Sequence, residues 1–90
     1  MNYSYPIDMD WTKEEIAVVI HYFESIEKAY EKGVSAAELK ETYRAFKTVV
    51  PSIGEEKRLG REFEDVSGYS PYQVMQMLKN ATTSTIKMKP

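Results

Sequence analysis

The residues that could carry out chemistry in this chain of 90 residues are few and scattered. There is no cysteine, and the single histidine, His21, falls beside the apolar stripe of a predicted helix. No serine or cysteine motif accompanies it, so a nucleophile, a general base and an orienting group cannot be assembled. We therefore expect His21 to be a surface or half-buried side chain, with no catalytic residues and no enzymatic activity.

Metal and phosphate chemistry have equally little support. Asp8 and Asp10 offer two carboxylates, but the segment lacks the further oxygen ligands and the glycine of a calcium loop. We interpret these aspartates as capping or solvating groups. The chain contains no glycine-rich phosphate-binding loop. The sequence thus predicts neither a metal site nor a cofactor.

Composition and charge are those of one ordinary globular domain. Apolar residues make up 42% of the chain and charged residues 29%. The net charge of −2 gives nucleic acid no overall attraction. The longest apolar run, residues 16–20, is far too short to cross a bilayer, and no basic cluster precedes an apolar run near the N-terminus. We expect a cytoplasmic protein that does not enter the membrane.

The elements that must position any site are helices, because start and stop signals alternate along the chain. Four segments place Thr or Ser three residues before Glu or Gln, which is the pattern of a capping box. They begin at Thr12, Ser35, Ser52 and Ser70. Stop signals follow at Gly33, Pro51 and Gly68. The sequence predicts an all-α fold, a compact array of four helices at about 13–32, 36–50, 54–66 and 71–81.

The two chain ends are predicted to be non-helical. In residues 1–11, Pro6 and the aspartates disfavour a helix, while aromatic and aliphatic residues alternate with polar or small ones. This pattern predicts an extended arm whose apolar edge packs on the helices. Residues 82–90 show no helical pattern, and we expect a flexible tail after a single domain spanning 1–81.

The first helix has a wider apolar face than a surface helix requires. Beside its main stripe lies a second strip, formed by Val18, Tyr22, Ser25 and Ala29. Either this helix is buried on two sides within the domain, or the strip faces a second protein or a second copy. Tyrosines at element boundaries are likewise either lids on the core or interface anchors. The candidate partner surface comprises Tyr3, Tyr5, Val18, Tyr22, Ala29 and Tyr72.

A helix-turn-helix is the competing interpretation. The third and fourth helices are joined by a short turn that contains Gly68, as in that motif. The possible recognition face, however, carries only one base, Lys79, and acidic residues of the third helix would repel phosphate. We therefore favour a non-enzymatic protein-interaction or adaptor module, a homodimer included, over a DNA-binding regulator.

Several short motifs occur in order between about residues 3 and 80. They are Tyr5-Pro6, Asp8, Asp10-Trp11, residues 29–34, Tyr43, Phe46-Lys47, Val50-Pro51-Ser52, Glu55-Glu56-Lys57 and residues 67–72. With these motifs the chain resembles the YktA-type family, an uncharacterised family of small proteins from low-GC Gram-positive bacteria. The resemblance implies a compact helical fold and a bacterial cytosolic setting, and it implies no activity. Lys47 and residues 55–57 are motif positions without a predicted role in the core.

Overall fold

The computed structural model describes residues 3–88, which form four α-helices and one two-stranded antiparallel sheet. The helices are α1 (Lys13–Glu31), α2 (Ala36–Val49), α3 (Ile53–Ser67) and α4 (Pro71–Asn80). The strands are β1 (Val34–Ser35) and β2 (Thr85–Ile86). The all-α, four-helix fold class is confirmed, and each helix begins and ends within one residue of the position expected from its signals. Among residues 3–88, none of the helices combines the length and apolar character that crossing a bilayer requires.

Each helix begins at the hydroxyl residue that precedes it. Thr12 Oγ1 accepts from the Glu15 backbone N–H at 3.1 Å, and Glu15 Oε1 accepts from the Thr12 N–H at 2.9 Å, so α1 has a complete capping box. At the other three starts the serine hydroxyl accepts from the amide three residues on. Within residues 3–88, the Glu or Gln side chain three residues on does not accept from the serine N–H in return. Glu38, for example, pairs with Lys28 Nζ at 2.9 Å instead.

The core is built on aromatic side chains of α1 that contact both α2 and α3. Phe23 stacks on Phe63 of α3, with ring centroids 4.5 Å apart, and Tyr22 stacks on Phe46 of α2 at 4.4 Å. All four rings are buried. Such pairs contribute about 0.5–1.5 kcal/mol beyond the burial of their area. Helix α1 is therefore central, with neighbours on two sides.

The burial of α1 corrects part of the predicted partner surface. Tyr22 is 2% exposed and Ala29 is fully buried, both within a single chain. The prediction that these two side chains face a second protein is therefore wrong. The apolar face of α1 is wide because helices pack on it from two directions. Val18, on the same strip, is only half-buried.

The N-terminal arm lies on the core without helical structure, as its pattern predicts. The rings of Tyr3 and Tyr5 each lie 6.0 Å from the ring of Phe63. Both hydroxyls donate to the Glu27 carboxylate, Tyr5 at 2.8 Å. Burial, together with these bonds to Glu27, raises the pKa of both tyrosines. The two residues are thus lids that fasten the arm to α1.

The C-terminal segment is not a flexible tail over residues 85–88, and that prediction is wrong there. Strand β2 pairs with β1, placing Ile86 opposite Val34, and the Met88 N–H donates to the Ala29 carbonyl at 2.7 Å. Ile86 is 1% exposed. Backbone pairing and burial of this side chain order the segment. Residues 1, 2, 89 and 90, which the sequence analysis assigned to the arm and the tail, lie outside the described residues.

Candidate functional site

A groove of about 870 Å³ opens between α2, α3 and α4, and we call it the central groove. Its floor lies on the buried core rings of Tyr22, Phe23 and Phe46, while half-buried Met75 and Leu78 line the side formed by α4. Ligand pockets in proteins commonly measure about 300–1,000 Å³ and are mostly apolar. The central groove has both properties, which makes it the leading candidate site in the described part of the chain.

The groove exists because α2 and α3 diverge from each other. Helix α2 packs along α1, whereas α3 packs mainly against α4 and reaches the core through Phe63. The connection between α2 and α3 is only residues 50–52, and Pro51 prevents α2 from continuing through it. The two helices therefore separate immediately after a tight turn, and the space between them is left open above the aromatic floor.

One carboxylate bridges this divide. Glu56 of α3 accepts from Lys47 Nζ at 2.6 Å with one oxygen and from the Tyr43 hydroxyl at 3.0 Å with the other. The side chains of Lys47 and Glu56 are each only 24% exposed. Burial and the bond to Glu56 raise the pKa of Tyr43 to about 12. Two motif positions that had no predicted role, Lys47 and Glu56, thus hold one wall of the groove.

Two large apolar side chains stand exposed at the edge of the groove. Ile53, the first residue of α3, is 66% exposed, and Tyr72, near the start of α4, is 68% exposed. Both line the groove. Single exposed apolar residues are normal on a protein surface. Here they extend the apolar lining of the groove to its exposed edge.

The edge of the groove is basic, although the chain as a whole is acidic. Its four bases are Lys40, Lys57, Arg61 and Lys79. All four are exposed, and none forms a salt bridge with a residue between 3 and 88. The lining carboxylates are Glu64 and Glu56, of which Glu56 is already paired with Lys47. The groove therefore combines an apolar floor with positively charged edges.

The structure distributes the predicted partner residues over different places. Tyr22 lies in the floor of the central groove and Tyr72 at its edge, whereas the other four do not line it. Tyr3, Tyr5 and Val18 are half-buried, so Tyr72 alone among the six is an exposed side chain. The groove itself was not predicted, because its lining comes from all four helices, whose relative placement has no local signal in the sequence. The available hint was the pair Lys57 and Arg61, one helical turn apart.

Asp8, Asp10 and His21, the other residues considered for chemistry, are not part of a reactive site in the described residues. The Asp8 side chain accepts from the Asp10 N–H at 2.9 Å, and the Asp8 carbonyl accepts from the Trp11 N–H at 3.1 Å. These bonds form the turn that leads into α1. His21 is exposed. Within residues 3–88 no three His, Cys, Asp or Glu side chains are grouped so that they could hold a metal ion.

Comparison with known proteins places the chain in a family. A model described as an uncharacterised protein family, UPF0223, matches residues 2–87. The chain belongs to this family. The UPF0223 protein lmo1058 of Listeria monocytogenes is 63% identical over 90 residues, which cover 100% of both chains. The UPF0223 protein of Streptococcus sanguinis is 52% identical over 87 residues, which cover 97% of this chain and 95% of that protein.

Membership in an uncharacterised family of low-GC Gram-positive bacteria, which the resemblance implied, is confirmed by these matches. The names of the UPF0223 relatives assign no activity, substrate or partner. Full-length similarity to the Listeria protein means that the arm, the four helices and the groove all lie within the matched region.

Proposed function

We propose that this UPF0223 protein is a non-enzymatic, cytoplasmic interaction module that binds a helical segment of a partner protein in the central groove. The observation that carries the proposal is the accessible apolar lining of the groove, in which half-buried Met75 and Leu78 are joined by exposed Ile53 and Tyr72. An amphipathic helix lays its apolar face into such a groove through residues spaced three and four apart. Tyrosine is typical of the anchors that dominate binding energy at protein interfaces.

The dimensions and the exposed edge favour a helix over a small molecule. The protein measures 37 × 26 × 21 Å, and a helix of about 15 residues is about 22 Å long, so it can span one face. Ile53 and Tyr72 are 66% and 68% exposed, so an occupant must reach the edge of the groove to cover them. Covering a large apolar side chain stabilises a complex by about 1.5–3 kcal/mol, which is available only to an occupant that reaches the edge.

A DNA-binding regulator that uses α3 and α4 is the competing proposal. Gly68 adopts the left-handed conformation, with φ of 80°, in the short turn between the two helices. The exposed acids of α3, however, are Glu62, Glu64 and Asp65, and Glu64 lines the same groove as Tyr72 and Lys79 of α4. Because phosphate contacts dominate the affinity of DNA-binding proteins, these acids weigh against the proposal.

Matched substitutions at the groove edge and elsewhere test the proposal. Ile53→Asp and Tyr72→Asp place charge at the groove, whereas Val66→Asp and Met77→Asp change exposed apolar residues that do not line it. The probe is a fluorescent helical peptide of about 15 residues with leucines spaced three and four apart, measured by anisotropy. We expect saturable binding that the two groove substitutions weaken at least tenfold and the two controls leave unchanged.

Three other results would overturn the proposal. One is the absence of peptide binding, and another is equal loss in all four variants. The third is self-association of the free protein, seen as concentration-dependent sedimentation, that only the groove substitutions abolish. In that case the occupant of the groove is a second copy of the chain and not a partner helix. A mobility shift of DNA at low salt without peptide binding supports the DNA-binding regulator instead.

A further inference from the structure

We infer that the partner segment is an amphipathic helix with acidic residues on both sides of its apolar face. This inference rests on the proposed function, since it concerns the occupant of the same groove. The bases that line the central groove are distributed over several helices. Lys40 belongs to α2, Lys57 and Arg61 to α3, and Lys79 to α4, so positive charge reaches the groove from three of the four helices that line it.

These bases are free to meet charges on a partner. Three bases elsewhere in the chain are engaged internally: Lys28 with Glu38, Lys47 with Glu56, and Arg58 with Glu55 and Glu62. The remaining described bases away from the groove have no salt bridge among residues 3–88; they are Lys13, Lys32, Arg44 and Lys87. The four at the groove have no carboxylate within salt-bridge distance among residues 3–88. An acidic partner therefore gains their attraction without displacing an existing pair.

The spacing on α3 suits a helical partner in particular. Lys57 and Arg61 are four residues apart on one helix, and residues at this spacing lie next to each other on its surface. A partner helix that runs beside α3 presents its own carboxylates at the same repeat. Two ion pairs can then form along one edge, while Lys40 and Lys79 face the other parts of the groove.

The rest of the surface reinforces this preference. The α1 region near the arm carries Glu24, Glu27 and Glu31, and their carboxylates lie close enough to Tyr5 to raise its pKa, after burial and the Glu27 hydrogen bond. An acidic helix is repelled by that region and attracted by the groove. Complementary charge of this kind supplies specificity and faster association more than raw affinity, and salt screens it.

Three peptides with identical apolar faces test the inference. Their flanking positions carry Glu, Gln or Lys, and their dissociation constants are measured by fluorescence anisotropy at 50 mM and 300 mM NaCl. Because each exposed ion pair contributes little, we expect the Glu peptide to bind about tenfold more tightly than the Gln peptide at low salt. The difference should shrink at high salt, and the Lys peptide should bind most weakly.

A charge reversal and a matched control make the source of the preference explicit. Lys57→Glu, Arg61→Glu and Lys79→Glu together should invert the order of the three peptides. Lys13→Glu, Lys32→Glu and Lys87→Glu change the net charge equally at exposed positions that do not line the groove, and should preserve the order. Circular dichroism establishes that both triple variants are folded, and the salt series on the unmodified protein requires no variant.

The outcomes separate this inference from the proposed function. Equal binding of the three peptides, all weakened by Ile53→Asp, overturns the acidic preference and leaves groove binding in place. Tightest binding of the Lys peptide, or an order that the control variant also inverts, likewise overturns the inference. Failure of every peptide to bind overturns the proposed function and the inference together.

Discussion

Replacing Ile86 by alanine should destabilise the protein by about 3 kcal/mol, although this residue lies in a two-residue strand near the C-terminus. Ile86 is 1% exposed and pairs with Val34, so its side chain is part of the core. The substitution removes three carbon atoms, each worth about 0.8 kcal/mol of transfer free energy. The space left behind adds a further cost, since the surroundings close it only in part.

This loss is large relative to the stability of a small domain. A folded chain of this size is stable by roughly 5–13 kcal/mol, so Ile86→Ala removes a substantial fraction. In a domain of this length each kcal/mol corresponds to about 4–8 °C in melting temperature. We therefore expect the melting temperature to fall by about 12–24 °C.

Urea unfolding followed by circular dichroism measures the effect, with Lys87→Ala as the neighbouring exposed control. Hydrogen exchange adds an independent measurement, because the Met88 N–H bonds to the Ala29 carbonyl and should be protected. A change below about 0.5 kcal/mol for Ile86→Ala, together with rapid exchange at Met88, would refute the reasoning. The segment would then be the frayed tail that its sequence suggests.

Glu27→Ala removes the carboxylate that accepts from both arm tyrosines, and it should lower the free energy of unfolding by about 1–2 kcal/mol. Limited proteolysis of the arm should become faster, and an unchanged rate would contradict this role of Glu27. Gly68→Ala places a side chain in the left-handed region at φ 80° and should lower the free energy of unfolding in urea by about 1–2 kcal/mol. Gly60→Ala within α3 should instead stabilise the protein by up to about 1 kcal/mol. Equal effects of the two substitutions would argue against the conformational explanation. Burial and Glu56 raise the pKa of Tyr43 to about 12, so the folded state keeps a proton that the unfolded state loses near pH 10. The free energy of unfolding should therefore fall between pH 10 and 12, less steeply in Tyr43→Phe, and an identical slope in the variant would exclude this contribution.

The helices could be predicted because their signals are local. A hydroxyl at residue 12 and a carboxylate at residue 15 satisfy each other's amides whatever the rest of the chain does. The left-handed conformation of Gly68 is equally local, since glycine lacks the side chain that opposes it. Helix starts and stops whose interacting groups lie within a few consecutive residues can therefore be predicted from the sequence.

Strand β2 could not be predicted, because its determinants are distant from one another. Its partner, Val34–Ser35, also serves as the entry to α2, where Ser35 caps the helix. Two residues are too few to show the alternation that marks a strand. The pairing becomes apparent only when the end of α1 and the C-terminal segment are brought together.

The central groove escaped prediction for a related reason. Apolar stripes indicate which side of a helix is buried but not how far two helices diverge. The divergence of α2 from α3 depends on the short turn after Val49 and on the bridge from Glu56 to Lys47 and Tyr43. The charges of Lys57 and Arg61 are visible in the sequence, yet their position beside an apolar floor is a property of the folded chain.

The most direct test of groove binding is chemical-shift mapping of the isotopically labelled protein during titration with the Glu-flanked peptide. Groove binding predicts saturable shifts at amides that line the central groove on α2, α3 and α4, and their loss in Ile53→Asp. Shifts confined to the arm and the acidic side of α1, or no saturable shifts at all, would contradict it.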